Sequence, residues 1–170
     1  MVISLLSKDG EKMFSEECVR AALSDLVQYH GYEIQEINYS EEHFGNFVIK
    51  LAKANSFDIR FLRDRGQVWC EIGRNSNWMQ LEDVLTVVGA KFEFDQNDDY
   101  CRIIKLISST IHDWFTLLNK ALEDNNCKAT IKQVEQMKQN RVREFLGEFQ
   151  QNQASHLQGY GKVRNHPKAA

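Results

Sequence analysis

Alternation of apolar and polar residues runs through successive segments in the first half of the chain. Phe47, Ile49 and Leu51 share one face of an extended segment. A period of two residues is typical of an antiparallel sheet that packs one face on a core. The segment Tyr32–Tyr39 also alternates, and a phase slip near Gln35–Ile37 predicts a β-bulge. Two further strands are predicted from the apolar sets Phe57, Ile59, Phe61 and Val68, Cys70, Ile72.

The sequence Asp64-Arg65-Gly66-Gln67 predicts a tight turn between the third and fourth strands. A loop of two or four residues places Arg60 opposite Glu71. The same register sets Ile59 opposite Ile72, so each face of the hairpin stays chemically uniform. A three-residue loop would oppose Ile59 and Glu71. A shift of one residue moves every side chain to the other face, so the first register is predicted.

Four stretches with helical periodicity flank the strands. Ser15 is placed to cap the first helix and Gly31 to end it. The Asn75-Ser76-Asn77 stretch offers caps for the second helix, and Thr130 with Gln133 forms a capping-box pattern for the fourth. The predicted helices run from about Ser15 to His30, Trp78 to Val88, Asp99 to Glu123 and Thr130 to Gln150.

The third predicted helix has the broadest apolar stripe of the four. It combines Ile104, Ile107, Ile111 and Trp114 with further apolar residues on both sides. A stripe of that width predicts a largely buried helix at the centre of the core. Between the second and third helices, residues 90–94 fit either a short strand or an extended connection.

Grouped strands and grouped helices indicate an α+β fold rather than a parallel α/β fold. We expect an N-terminal helix, an antiparallel sheet of about four strands and three C-terminal helices. The length of 170 residues suits one domain, assigned to residues 1–150. Residues 151–170 contain few apolar side chains and are expected to form a flexible basic tail.

Charge is unevenly distributed along the chain. The net charge is −3, but residues 152–170 carry three basic residues and no acid. The remaining residues therefore hold a net charge of −6, which disfavours nucleic acid as a partner and suits a basic protein. No apolar run is long enough to cross a membrane, and the first residues lack a signal-peptide pattern, so a cytoplasmic location is expected.

No catalytic, metal or cofactor motif occurs in the sequence. His112 and Asp113 are neighbours in a predicted helix and face different directions, so they do not form a dyad. Cys18, Cys70, Cys101 and Cys127 are widely spaced, and reduced, mostly buried thiols are expected. The acidic Asp95–Asp99 segment lacks the glycine and the closing glutamate of a calcium loop. We expect a protein that is not an enzyme and has no cofactor.

Trp69 falls on the face of the predicted sheet opposite to the apolar set. If no helix covers that face, Trp69, Leu62 and Arg60 form an exposed patch of a kind enriched at protein interfaces. If a helix covers it, the same residues belong to a second core layer. The sequence leaves both alternatives open.

The region from Tyr29 to Val88 resembles small immunity proteins of bacterial polymorphic toxin systems. The stretches that carry the resemblance are "YHGY", "FGNFVIKL", "FDIRFLRDRGQVWCEIG" and "NWMQLEDVL", with an Asp-Arg-Gly-Gln hairpin before a tryptophan-led helix. The resemblance covers about a third of the chain. It implies a non-enzymatic protein that binds and blocks a toxin encoded beside it.

The leading hypothesis is therefore a stoichiometric toxin inhibitor that acts by protein–protein interaction. The main alternative is an adaptor or regulatory subunit of a larger assembly, and a third is an enzyme whose site assembles from distant residues. The residues expected to contact the partner are Glu41, Glu42, Arg65, Asp95, Asp98 and Asp99.

Overall fold

The fold is a five-stranded antiparallel sheet in the order β1-β2-β3-β4-β5, combined with five α-helices. The computed structural model describes residues 14–43, 45–92 and 98–160, with side chains up to residue 147. The strands are β1 Glu33–Ser40, β2 Asn46–Ala52, β3 Asp58–Asp64, β4 Gln67–Arg74 and β5 Asn77–Gln80. The helices are α1 Glu16–Ala22, α2 Ser24–Gln28, α3 Leu81–Val87, α4 Tyr100–Leu122 and α5 Asp124–Tyr160, and Glu41–His43 forms a 3-10 turn.

The α+β class is confirmed, but the sheet has five strands instead of about four. The chain divides into two compact units, Met1–Ile131 and Lys132–Ala170. The first contains the sheet and α1 to α4, and the second contains most of α5. The helix α5 continues to Tyr160, through the first ten residues of the segment expected to be a tail. The assignment of residues 1–150 to one domain and 151–170 to a flexible tail stays a prediction.

The predicted register of the β3–β4 hairpin is confirmed. Arg60 pairs with Glu71 and Ile59 with Ile72. The turn is the two-residue loop Arg65-Gly66, in which both residues have positive φ, 49° and 84°. That conformation is typical of the turns that suit the twist of a hairpin. The bulge expected near Gln35–Ile37 is also present, as a register shift between Ile34 and Glu36 in β1.

The predicted helix from Trp78 to Val88 is wrong in its first turn. Trp78 lies on the edge strand β5 opposite Gly73, and the helix begins only at Leu81. Asn75 and Ser76 have φ of 52° and 66°, so they form a second two-residue hairpin turn instead of a helix cap. Gly73 permits this close pairing, because a Cβ there would lie 2.4 Å from the carbonyl oxygen of Asn77.

The first predicted helix is present as two shorter helices, α1 and α2, which meet at Leu23. The Ser15 cap is confirmed, since its hydroxyl accepts a hydrogen bond from the Cys18 amide at 3.2 Å. Gly31 ends the pair with φ of 67°, and its amide donates to the Val27 carbonyl. Glycine adopts this left-handed conformation without the steric cost that a Cβ brings.

The capping box expected at Thr130 is absent. The helix α5 begins at Asp124, so Thr130 lies inside it, and its hydroxyl donates to the Ala121 carbonyl at 2.7 Å. The wide stripe expected for α4 is also partly exposed. Leu106 and Leu117 are 43% and 44% exposed, so the buried stripe is narrower than expected. In the second unit, Val142, Phe145 and Leu146 of α5 are exposed.

The expectation of four reduced cysteines is wrong for one pair. Cys18 of α1 and Cys101 of α4 form a disulfide, with Cα atoms 6.2 Å apart. Eighty-three residues separate them, so no sequence spacing indicates the pairing. Cys70 and Cys127 are free and buried, as expected. The bond ties the first turns of α1 and α4 to each other.

The core lies between one face of the sheet and the helices α1 to α4. Alternate strand residues such as Ile49, Ile59 and Ile72 are fully buried, as are Ile104 and Ile111 of α4. The helix α4 packs against β4, α1 and α2, so it is the central helix of the first unit. None of the helices in the described part of the chain is both long and apolar enough to cross a membrane.

Adjacent residues of α4 give a matched test of this core. Ile107 is 1% exposed and Leu106 is 43% exposed. Replacing Ile107 with alanine should lower the free energy of unfolding by ~2–5 kcal/mol, because a cavity opens between α4 and the sheet. The Leu106→Ala variant should cost less than ~1 kcal/mol. Urea unfolding followed by circular dichroism measures both. Equal costs would contradict the central position of the Ile107 face.

An aromatic cluster joins the end of α2 to α4. His30 stacks on Phe115 with ring centroids 4.0 Å apart, and its Nε2 lies 2.9 Å from Nδ1 of His112. Burial lowers the pKa of His30, and the nearby His112 and Lys53 lower it further, while Asp25 opposes them. The folded protein therefore binds a proton at His30 less readily than the unfolded chain does.

This shift predicts an acid-sensitive contribution to stability. The stability that His30 contributes is fully present above its pKa in the unfolded chain, about 6.5. It is lost as the pH falls through the lower pKa that His30 has in the folded protein. The free energy of unfolding should therefore decrease between about pH 7 and pH 5 more steeply in the wild type than in a His30→Asn variant. Urea titrations at several pH values measure the difference. Parallel curves would show that His30 makes no such contribution.

Candidate functional site

The sheet presents a second face on which alternate strand residues point away from the core. We call this the open face, defined by Val48, Lys50, Arg60, Leu62, Trp69, Glu71 and Trp78. Each of these side chains is partly exposed, in contrast to the buried residues that alternate with them. The pattern decides between the two alternatives for Trp69. Trp69, Leu62 and Arg60 form an accessible patch rather than part of a second core layer.

A row of ion pairs crosses the middle of the open face. Lys50 of β2 binds Glu36 of β1 at 2.5 Å, and Arg60 of β3 binds Glu71 of β4. The Arg60 guanidinium also lies 4.3 Å from the centroid of the Trp78 ring. Each charged side chain in this row is paired with an opposite charge on the neighbouring strand. The row therefore has little net charge with which to attract a partner.

A shallow groove of about 360 Å³ lies beside this row, towards the β3–β4 turn. Its apolar floor consists of Val48, Leu62 and Trp69, which are neighbours across β2, β3 and β4. Phe47 and Arg63 also line the groove, together with five polar residues at the end of the sheet: Asn38, Ser40, His43, Asn46 and Asp64. The groove therefore combines a hydrophobic surface with hydrogen-bonding groups along one side.

Hydrogen bonds hold two connections of the sheet together at this end. The Asn46 side chain donates to Oδ1 of Asp64 at 2.8 Å and accepts from the Arg65 amide at 3.1 Å. Ser40 Oγ and His43 Nδ1 are 2.6 Å apart within the β1–β2 connection. The bonds of Asn46 place the β1–β2 connection beside the β3–β4 turn.

Three of the expected contact residues lie at this end of the sheet. Glu41 and Glu42 are exposed in the 3-10 turn of the β1–β2 connection. Arg65 is exposed at the tip of the β3–β4 hairpin. The structure thus brings together residues that are more than twenty positions apart in sequence.

The start of α4 lies near the same end. The centroid of the Tyr100 ring is 5.8 Å from that of Phe47 and 5.8 Å from the Arg63 guanidinium. Phe47 near the start of β2 pairs with Arg63 near the end of β3, so both lie at this end of the sheet. Asp99 caps α4 by accepting the Cys101 amide at 2.9 Å, and Asp98 pairs with Arg102 at 3.2 Å. Asp98 and Asp99 therefore make contacts within the first turns of α4. Their expected contact with a partner stays a prediction. Asp95 lies outside the described residues.

Tyr100 also fixes the first turn of α1 to this region. Its hydroxyl accepts a hydrogen bond from the Ser15 amide at 2.7 Å, and Phe14 stacks on both Tyr39 and Tyr100. Burial raises the pKa of the Tyr100 hydroxyl, which the Ser15 bond partly offsets. The hydroxyl therefore stays protonated at neutral pH, and its role is structural.

Sequence reasoning missed six groove residues: Asn38, Ser40, His43, Asn46, Val48 and Asp64. Val48 had a sequence signal, because it alternates with the buried Phe47 and Ile49 on β2. Asp64 was assigned only to a turn. Its neighbour across the sheet, Asn46, is 18 residues away, and no local pattern predicts that hydrogen bond.

The described residues offer no group of three or more His, Cys, Asp or Glu side chains placed to hold a metal ion. The closest histidine pair, His30 and His112, lies among aromatic rings on the helical side of the sheet. Comparison of the chain with protein-family models, with curated proteins and with solved structures finds no match.

Proposed function

We propose that this protein binds another protein through the groove end of its open face, and that the partner is a bacterial toxin which it neutralises stoichiometrically. The observation that carries the binding proposal is the accessible Trp69–Leu62–Val48 floor beside polar residues held in fixed positions. An accessible tryptophan on an apolar patch with a polar rim is typical of interface anchors. The toxin as partner rests on the sequence resemblance of residues 29–88.

Charge supports the same choice of surface. Glu41, Glu42 and Asp64 lie at this end of the sheet together with Arg63 and Arg65, so acids outnumber bases there by three to two, and the chain outside residues 152–170 carries a net charge of −6. A net negative charge around an apolar floor favours a basic partner, since complementary charge accelerates encounter and selects orientation. The proposal includes no catalytic step and no cofactor.

Neutralisation by binding predicts a fixed stoichiometry. Residual activity of the toxin, encoded beside this protein, should fall linearly with added protein and reach its minimum near equivalence. The association rate should fall as salt rises, because exposed charges are screened beyond ~10 Å at 0.1 M. Complete inhibition at strongly substoichiometric amounts would show catalytic inactivation and contradict a binding mechanism.

Matched variants locate the surface in the same titration. Trp69→Ala should weaken toxin binding by at least ~2 kcal/mol, as interface anchors do, whereas Leu117→Ala on the exposed side of α4 should have little effect. Glu42→Lys should slow association, and Asp113→Lys on α4 should not. Equal effects of the groove and α4 variants would place the contact elsewhere.

The alternative of an adaptor or regulatory subunit uses the same kind of surface. The two proposals differ in the consequence of binding. An adaptor leaves the activity of its partner intact, so binding without loss of toxin activity would favour it.

We also propose a cytoplasmic location, and the Cys18–Cys101 pair provides a direct test. Disulfides persist mainly in oxidising compartments. In the cytoplasm, rapid alkylation of intact cells should therefore label both cysteines as free thiols, while oxidised purified protein keeps the bond. Mass spectrometry of the alkylated peptides distinguishes the two states. A disulfide in most of the cellular protein would contradict the cytoplasmic proposal.

A further inference from the structure

We propose that the groove of the open face is a receptor site for a single arginine side chain of the partner protein. This inference deepens the proposed function and rests on it, because it names the chemical group that the surface recognises.

The floor suits the aliphatic part of a long side chain. Val48, Leu62 and Trp69 are cross-strand neighbours and form a continuous apolar strip over three strands. Arginine and lysine bury their methylene stems on such surfaces while the charged head stays near water. A groove of about 360 Å³ is large enough for one such side chain but small for a whole helix or strand.

The end of the groove supplies negative charge. Asp64 lies two residues beyond Leu62 on β3, a distance of about 7 Å along a strand. Its Oδ1 is held by Asn46, which fixes the carboxylate at the end of the floor. Arg63 also lines the groove, but its guanidinium donates to the Gly45 carbonyl at 3.1 Å and lies 5.8 Å from the centroid of the Tyr100 ring. Asp64 is therefore the acid that the lining offers to a cation.

The open face already contains a similar arrangement. Arg60 lies over the indole of Trp78 and binds the carboxylate of Glu71. Trp69 and Asp64 present the same two groups, an indole and a carboxylate, and no cation–ring contact occupies Trp69 in the described residues. A planar guanidinium stacks on an indole and binds a carboxylate through two parallel hydrogen bonds. Arginine fits this pair of groups better than lysine, which acts as a point charge.

The test titrates the full chain with small probes and follows its amide signals by NMR. The probes are N-acetyl-arginine methylamide, the citrulline analogue of the same shape without charge, and the lysine analogue. The arginine probe should shift the amides of Val48, Leu62, Asp64 and Trp69. Its affinity should exceed that of the citrulline and lysine probes by roughly fivefold or more.

Two variants and a control assign the effect to the groove. Asp64→Asn keeps an acceptor for Asn46 but removes the charge, and Trp69→Leu keeps an apolar floor but removes the indole. Each should reduce arginine affinity roughly fivefold. Asp58→Asn changes an acid at the opposite end of the same strand, and it should have no effect.

Any other outcome of the probe titration contradicts the inference. Equal affinity for citrulline would show that the groove does not recognise charge, and equal affinity for lysine would show that it does not recognise a planar cation. Amide signals that shift only outside the groove, or that do not shift at all, would show that the groove does not bind arginine. Arginine binding without toxin neutralisation would keep this inference and remove the proposed function. Neutralisation that Trp69→Leu and Asp64→Asn leave unchanged would keep stoichiometric neutralisation of a toxin, but it would place the contact outside the groove and so remove this inference.

Discussion

The burial of one face of the sheet beneath α4 is the interaction on which the rest of the structure depends. Strand side chains alternate, so every residue that points to α4 has a neighbour that points away from it. Ile59 and Phe61 are fully buried, and Leu62 between Phe61 and Arg63 is therefore directed to the open face. The accessible surface is thus a direct geometric consequence of the core. A substitution that changed the register would destroy both at once.

An open sheet face with apolar residues carries a risk of aggregation, and the ion pairs reduce it. The pairs Glu36–Lys50 and Arg60–Glu71 place charge across the middle of the face. Like other charges on exposed sheets, they make pairing with a second sheet costly, because each pair would have to lose water. Of the apolar residues on this face, Val48, Leu62 and Trp69 lie together at one end, and Trp78 towards the other end lies under the Arg60 guanidinium. This arrangement limits the size of any partner contact and favours recognition by a few side chains.

Local sequence patterns predicted the strands because burial on one face imposes a strict period of two. The register of β3 and β4 was predictable for the same reason, since only one register keeps Ile59 opposite Ile72. The strand β5 was not predictable, because Asn75 and Ser76 are as typical of a helix cap as of a hairpin turn. Pairing with β4 decides between them, and that is a tertiary interaction.

The candidate site was partly predictable, and the limit has a physical cause. Charged residues in connections, such as Glu41 and Arg65, can be recognised from composition and turn signals. The groove between them could not, because it depends on the Asn46–Asp64 hydrogen bond and on the partial exposure of Trp69 within the described part of the chain. Whether a sheet face is covered depends on where every helix packs. A single sequence does not specify that arrangement locally.

Contacts beneath this end of the sheet support the surface that we propose for binding. Tyr100 holds the first turn of α1 and Asn46 joins two connections, and in the oxidised protein the disulfide also joins Cys18 to Cys101. Each contact removes conformational freedom before a partner arrives, so less entropy is lost when the complex forms. A binding surface on such a support gains affinity without added area. The disulfide and the Tyr100 contacts lie on the helical side of the sheet, so they can stabilise the groove without occupying it.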